Sequence, residues 1–233
     1  MEKLKVKTNM KFIIILFFFV NLLLAFNSYY TPNLNNFLKS IQCSQTLHKK
    51  AFDICYSCEE KHPLAVAYML KEKLVNKNNY SRSYLTFRPD YNLPTRCRSY
   101  SKDYSKTGFD RGHNAPNAAF DYDKSIQKQT FLMSNISPQK PMLNRRYWAK
   151  VERFARYLAV KYKKIEVVTG SCGHIGTIKN NVGIPAYWYK VIYIPSIKDY
   201  VAFLAPNTNT GMSKAKLKEY KSSIEEIKKV CGF

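Results

Sequence analysis

One short polar segment, residues 107–116, contains the residue types that could perform acid–base chemistry. Its centre is Asp-Arg-Gly-His at positions 110–113. His113 can act as a proton acceptor near neutral pH, and Pro116 soon directs the chain out of regular structure. A histidine beside an aspartate is more often a structural residue, so this segment alone does not define an active site.

A second segment, residues 143–164, has apolar residues at intervals of three or four and predicts the strongest helix of the chain. Asn144, Trp148, Glu152 and Arg156 recur every four residues, which places them on one side of that helix. Asn144 and Glu152 would lie about 12 Å apart along the axis, too far for both to bind one ion directly. Magnesium prefers oxygen ligands and keeps several waters, so the amide oxygen of Asn144 could suffice.

These segments, together with Ser-Asn-Ile-Ser-Pro-Gln at 134–139, resemble the DNA/RNA non-specific endonucleases of the ββα-metal superfamily. The resemblance covers about residues 50–233, and its specific part is Asp-Arg-Gly-His followed by Asn-(x7)-Glu. It implies an α+β fold with a mixed, largely antiparallel sheet, helices on its faces and a strand–strand–helix metal finger. Asn114 departs from the pattern, because a leucine or another bulkier residue commonly follows the histidine.

The resemblance also implies the central catalytic roles. His113 is expected to be the general base, and Asn144 the ligand of Mg²⁺, with Mn²⁺ as an alternative metal. Glu152 is expected to order the water shell of the metal or to hold neighbouring basic side chains. Asp110 is expected to fix the loop rather than to contact substrate.

Four further positions are implied to shape the site or to bind phosphate. Arg111 and Asn135 resemble positions around the base and the phosphate. Arg156 resembles a phosphate-contacting arginine, and Arg88 is a second candidate for that role. The region before the histidine varies in length in the family, so Arg82 and other nearby arginines compete with Arg88.

The chain is strongly basic, with a formal net charge of +22. Such a charge favours a polyanionic partner such as DNA or RNA, or an anionic surface; a merely solvated surface is the alternative. Binding through phosphates predicts little sequence preference and strong sensitivity to salt. Family members often form homodimers, so a homodimer is a further expectation.

Residues 1–28 have the pattern of an export signal: a lysine-containing start is followed by an uncharged run at 12–26. This run of fifteen is short for a transmembrane span of about 20 residues and typical of a signal peptide. We therefore expect an exported protein, periplasmic or secreted, with one nuclease domain at 29–233. An uncleaved N-terminal membrane anchor is the alternative.

All six cysteines follow this segment, and an even number in an exported protein predicts disulfides, for which fifteen complete pairings exist. Cys55 and Cys58 form a Cys-x-x-Cys pair that could instead belong to a zinc or redox site, but there is no second such pair.

Periodicity and turn residues predict the remaining elements. A short helix is expected from Thr31 to Ile41, and the last helix at 213–230. The predicted strands and loop are a hairpin at 52–56 and 64–70, a surface loop at 71–83, a strand at 129–136, buried strands at 165–169 and 184–194, and a partner strand at 200–204.

The function predicted from these features is an exported, divalent-metal-dependent endonuclease that cuts DNA and RNA with little sequence specificity. The alternative is a non-catalytic nucleic-acid-binding surface protein with a degenerate nuclease fold. A third hypothesis, a membrane-anchored structural or envelope protein, depends only on the N-terminal run.

Overall fold

The computed structural model describes residues 30–75, 77 and 79–233, so the predicted export signal at 1–28 lies outside the described residues. The α-helices are α1 Pro32–Lys39, α2 Glu72–Val75, α3 Lys124–Thr130, α4 Ala149–Tyr162 and α5 Ile224–Cys231. The π-helical segment Leu143–Trp148 directly precedes α4, and the two together form the long helix. Strands are β1 Gln45–His48, β2 Phe52–Ser57, β3 His62–Lys71, β4 Asp110–His113, β5 Ile136–Gln139, β6 Lys164–Cys172, β7 Thr177–Ile178, β8 Val182–Gly183, β9 Tyr187–Ile194, β10 Asp199–Pro206 and β11 Lys221–Ser222.

The described part of the chain forms one large sheet of seven strands in the order β1-β2-β3-β6-β9-β10-β11. Each neighbouring pair in it is antiparallel. Strands β4 and β5 form a separate antiparallel pair, and so do the short strands β7 and β8. The expected α+β class with a largely antiparallel sheet is confirmed.

The two faces of the sheet are covered by different helices, because alternate residues of a strand point to opposite faces. One face, which includes Val66, Val167 and Ile192, packs against residues of the long helix such as Val151. The opposite face packs against α1 and α5, whose buried residues include Ile227. The long helix thus lies on a rigid platform that fixes its direction.

Most of the predicted elements are present, but three differ from the prediction. Residues 129–136 do not form a strand: Asp123 caps α3 by accepting hydrogen bonds from the backbone of Ser125 and Ile126, and a 3₁₀ turn then leads to β5. The last helix begins at Ile224 rather than near 213, since the side chain of Ser223 accepts from the amide of Glu226 and caps it there. The predicted loop at 71–83 contains the short helix α2.

Six cysteines form three disulfides, Cys43–Cys55, Cys58–Cys97 and Cys172–Cys231. The expectation of structural disulfides is confirmed. Cys55 and Cys58 belong to different bridges, so they do not form a Cys-x-x-Cys redox or zinc pair.

Candidate active site

A strand–strand–helix unit, formed by β4, β5 and the long helix, positions the candidate residues. His113 pairs with Ile136 across the two strands, and the pairing runs on to Asp110 at the other end of β4. Gly112 is needed because its backbone passes very close to the core: a Cβ there would lie 2.5 Å from Gln139 Oε1 and 2.8 Å from a ring carbon of Trp188. The glycine of the motif therefore lets the histidine strand pack against the main sheet.

The unit borders a polar cavity of about 320 Å³. Three residues predicted for catalysis and metal binding, His113, Asn144 and Glu152, line this cavity together. The complete lining comprises Arg82, Phe87, Asp110, Arg111, His113, Pro116, Asn117, Ala118, Asn144, Arg145 and Glu152. Residues that are distant in sequence thus converge on one site.

His113 lies in an aromatic pocket that keeps it neutral. Its ring is 5.3 Å from that of Phe87 and 5.1 Å from that of Phe131, between centroids. Burial, and secondly the positive charge of Arg82, lower the pKa of His113 to about 3. Its Nε2 is buried without a hydrogen-bond partner among the described residues. The imidazole is therefore in the form that can accept a proton.

Asn144 is oriented by Asp110, which contacts two consecutive residues of the π-helical segment. The amide nitrogen of Asn144 donates to Asp110 Oδ2 at 2.9 Å, and Arg145 donates to both carboxylate oxygens at 2.8 and 2.6 Å. An ionised carboxylate only accepts hydrogen bonds, so the nitrogen of Asn144 must face it and Oδ1 must face away. That oxygen is consequently available for a cation.

Glu152 contributes a partly shielded carboxylate to the cavity. Burial raises its pKa, and the positive charges of Lys190, Arg156, Arg153 and Arg82, in that order, oppose the rise. The acid thus sits among cations on the wall of the site. Lys190, to which the sequence prediction gave no role, is the strongest of these charges.

Arg111 lines the cavity but is also anchored in the surrounding loops. Its Nη2 donates to the carbonyl of Ser101 at 2.5 Å. The guanidinium lies 5.7 Å from the ring centroid of Phe87 and 5.8 Å from that of Tyr104. These contacts hold one positive charge beside the histidine.

Asn135 lies outside the cavity lining and fixes the loop after the histidine. Its Oδ1 accepts from the amide of Ala115 at 2.8 Å, and its Nδ2 donates to the carbonyls of Ala115 and Thr130, both at 2.9 Å. Asn114 joins this clamp by donating to the carbonyl of Asn135 at 3.2 Å and to Ser137 Oγ at 3.1 Å. The asparagine that departs from the family pattern is therefore buried structure, and Asn135 acts on the site indirectly.

The arginines predicted to bind phosphate occupy different places. Arg88 is exposed and does not line the cavity. Arg82, the alternative candidate, does line it, and its guanidinium carbon lies 5.3 Å from the ring centroid of Phe131. Arg156 follows Glu152 by one helical turn, also outside the lining, with Nη1 buried and unpaired among the described residues. The position of Arg82 on the cavity wall thus favours it over Arg88 as the arginine that contacts phosphate at the site.

Trp148 does not share the cavity with Asn144 and Glu152, contrary to the spacing argument. It is fully buried and packs edge-to-face on Trp188, with ring centroids 5.7 Å apart. The segment Leu143–Trp148 is π-helical, so the rotation per residue differs somewhat from the α-helical value assumed from sequence. Spacing alone does not decide which residues of a helix the core covers, and here the core covers Trp148.

The residues of the cavity fit a hard cation. The amide oxygen of Asn144 and the carboxylate of Glu152 are oxygen donors, which Mg²⁺ and Mn²⁺ accept. Within the described part of the chain, no group of three histidine, cysteine or acidic side chains is arranged to hold a metal. Magnesium keeps several waters in protein sites, so the amide oxygen of Asn144 could suffice as a protein ligand.

Fold and site together define a nuclease of the ββα-metal class. The profile of the DNA/RNA non-specific endonuclease family matches residues 31–233, and the chain belongs to that family. This membership makes it a hydrolytic nuclease.

Named relatives are nucleases, and a solved structure shares the fold. Nuclease C1 of Cunninghamella echinulata var. echinulata is 33% identical over 71% of this chain and 72% of its own length. The mitochondrial nuclease EXOG of Homo sapiens is 30% identical over 65% of this chain, which spans only 46% of that longer protein. The structure of the EndoG/EndoGI complex contains a chain of the same fold, with a TM-score of 0.77, 22% identity and coverage of 87% of this chain and 90% of that one.

Proposed function

We propose that this protein is an exported endonuclease that requires a divalent metal and hydrolyses phosphodiester bonds of DNA and RNA with little sequence specificity. The observation that supports it most directly is the convergence of His113, Asn144 and Glu152 on one cavity. A neutral histidine supplies a base, and the two oxygen donors suit a metal. The basic surface supplies attraction to a polyanion.

His113 is proposed to take a proton from the attacking water. A pKa of about 3 makes the free imidazole a weak base, but the negative charge of a bound phosphodiester beside the ring would raise that pKa. Arg111 and Arg82, both on the cavity wall, are placed to contact the phosphate oxygens. Arg156 and Arg88 are proposed to contact phosphates farther along the strand.

Asn144 is proposed to hold Mg²⁺ or Mn²⁺ through Oδ1, with Asp110 keeping the amide in the required orientation. When bound, such an ion neutralises charge on the phosphate and on the leaving oxygen. Glu152 is proposed to accept hydrogen bonds from the water around the ion. Asn135 is proposed to support this arrangement by fixing the loop that follows His113.

Export is supported by the three disulfides, because such bridges persist in oxidising compartments. Within the described residues, no helix is long and apolar enough to cross a membrane. We propose a periplasmic or secreted location. Fractionation of cells that express the complete chain tests this: recovery only in the cytoplasm would contradict it.

Plasmid nicking by residues 29–233, with Mg²⁺ or with EDTA, tests the activity. We expect cleavage only with metal, and its loss in His113→Ala by a factor of about 10²–10⁴ while DNA retardation in gels persists. His174→Ala is the matched control, since this half-exposed histidine does not line the cavity. Equal cleavage by wild type and His113→Ala would remove the histidine from the mechanism. DNA retarded but never cut under any divalent metal would favour the non-catalytic binding protein.

A further inference from the structure

Asn117 lines the cavity together with His113 and Arg82, but the sequence prediction gave it no role. Its backbone is fixed by the 3₁₀ turn Asn117–Ala119, in which its carbonyl accepts from the amide of Phe120 at 2.9 Å. The side-chain amide is therefore the part of this residue that can meet a ligand. Which end of the amide faces the cavity decides what this wall can bind.

Gln127 determines the orientation of that amide from inside the protein. Gln127 is fully buried, and its Nε2 donates to the carbonyl of Tyr80 at 2.8 Å and to Asn117 Oδ1 at 3.0 Å. Its Oε1 accepts from the hydroxyl of Tyr84 at 3.1 Å. A carbonyl oxygen can only accept, so the bond to Tyr80 identifies the nitrogen end of Gln127. The same nitrogen must meet the oxygen end of Asn117.

The nitrogen of Asn117 consequently lies on the side away from Gln127. Asn117 lines the cavity and Gln127 does not, so the NH₂ group is the end that a ligand can reach. Among the described residues, the side chain of Asn117 makes no hydrogen bond other than the one from Gln127. An amide nitrogen donates to anions and other acceptors but does not bind a cation.

Asn117 and Asn144 thus present opposite ends of the same functional group to one cavity. Asp110 accepts from the nitrogen of Asn144, which leaves an oxygen for a cation. Gln127 donates to the oxygen of Asn117, which leaves a nitrogen for an acceptor. The two walls therefore differ in the charge that they suit.

The same buried glutamine holds the segment that carries Arg82. Tyr80 and Tyr84 lie two residues before and two residues after this arginine, and both are hydrogen-bonded to Gln127. A guanidinium and a neutral amide donor thus belong to one hydrogen-bonded part of the cavity wall. A phosphate oxygen can accept from both kinds of group.

We propose that Asn117 is a substrate-contacting residue, whose Nδ2 donates to a phosphate oxygen of the bound nucleic acid. Gln127 is the residue that positions it. This contact rests on the proposed binding of nucleic acid at the cavity, but not on cleavage. Because it is made to phosphate, it adds affinity for DNA and RNA alike and without sequence preference.

Binding in EDTA tests the contact in the absence of cleavage. Dissociation constants are measured for a short DNA duplex of mixed sequence and for the RNA duplex of the same sequence. Asn117→Ala should weaken binding of both about tenfold, because a hydrogen bond to a charged acceptor is lost. Asn117→Asp should weaken it further: the carboxylate has the same shape and still accepts from Gln127, but it offers no donor and repels phosphate. Asn36→Asp is the matched control, since it adds the same charge at an exposed position of α1 on the opposite face of the sheet, and it should change affinity less than about threefold.

The salt dependence distinguishes this neutral contact from an arginine contact. Asn117→Ala should leave the slope of log Kd against log[KCl] unchanged, whereas Arg82→Gln should lower it by about one. Wild-type affinity in Asn117→Ala would overturn the proposal. A loss confined to RNA would also overturn it, because the donor would then contact a 2′-hydroxyl group.

Heteronuclear NMR keeps the proposal testable if the variants do not fold. The side-chain amide protons of Asn117 are followed in wild type in EDTA while the DNA duplex is added. One of them should move downfield on binding, and those of Asn36 should not. An unchanged Asn117 signal at saturating duplex would overturn the contact. Binding without cleavage would remove the proposed function and leave the contact to these measurements; absence of binding by wild type would overturn both.

Discussion

Asn144 donates from Nδ2 to Asp110 Oδ2 at 2.9 Å, and this hydrogen bond connects the first residue of the Asp-Arg-Gly-His segment to the helix 34 residues later. It fixes which end of the amide faces the cavity. The sequence prediction treated Asp110 as a loop-fixing residue, and the structure shows that what it fixes includes the candidate metal ligand. Under the proposed function, this motif aspartate orients the residue that would hold the metal.

Asp110→Asn should weaken Mg²⁺ binding by about 10–100-fold, because the new amide can donate as well as accept and no longer dictates the orientation of Asn144. Isothermal titration of the variant with MgCl₂ measures the effect. Arg145→Gln is the matched control: it removes the ion pair to Asp110 but leaves the bond to Asn144. An equal loss in both variants would assign the effect to the ion pair instead.

The free energy of unfolding should decrease as the pH is lowered, because His113 stays neutral in the folded state. Its pKa is about 3 in the folded state and about 6.5 in the unfolded chain, so between these values only the unfolded state takes up this proton. The stability contributed is complete above pH 6.5 and is lost as the pH falls towards 3, by at most about 1.4 kcal/mol per pH unit. Urea unfolding in EDTA between pH 4 and 7 should show a smaller slope for His113→Gln. Buried His62, whose pKa is also lowered, should keep part of the slope; identical slopes would refute the assignment.

Arg82 and Arg88 form a matched pair for testing phosphate contacts. Arg82→Gln should weaken DNA binding about tenfold and reduce the salt dependence by about one phosphate contact, since Arg82 lines the cavity. Arg88→Gln should weaken binding less, by about two- to threefold, because this exposed side chain lies outside the cavity. Dissociation constants measured against KCl concentration, in a His113→Ala background, distinguish the two. The reverse ranking would restore Arg88 as the principal contact.

Removal of the Cys172–Cys231 bridge should lower stability without altering the chemistry. Replacement of both residues by serine opens a loop with a sequence separation of 59, for which the loss is about 4 kcal/mol. Differential scanning calorimetry gives the change, and nicking at 20 °C gives the activity of the folded fraction. A large loss of kcat in protein that remains folded would show that the bridge also shapes the site.

The long helix and the sheet were predictable because their apolar periods are strong and local. The strand expected at 129–136 failed because hydrophobic content alone cannot distinguish a strand from a capped helix followed by a turn. Likewise, helical spacing does not show which residues the core covers, so Trp148 was placed on the same side as Asn144 and Glu152, although it is buried.

Within the site, His113, Asn144 and Glu152 were identified from the motifs that carry the family resemblance, and they do meet at one cavity. The aromatic walls were not identified, because Phe87 and Phe131 come from irregular segments that reach the histidine only through tertiary folding. Lys190 did leave a signal, a lone lysine within an apolar strand. The remaining roles of the predicted site residues stay predictions until the variants are measured.

The disulfides are unevenly distributed along the chain. Cys97 and Cys172 are consecutive cysteines in the sequence, so the residues between them contain no covalent cross-link. The proposed base, metal ligand and acid all lie in this interval. The relative positions of these three residues are therefore maintained by strand pairing, hydrogen bonds and packing, and the covalent cross-links stabilise only the parts of the chain on either side.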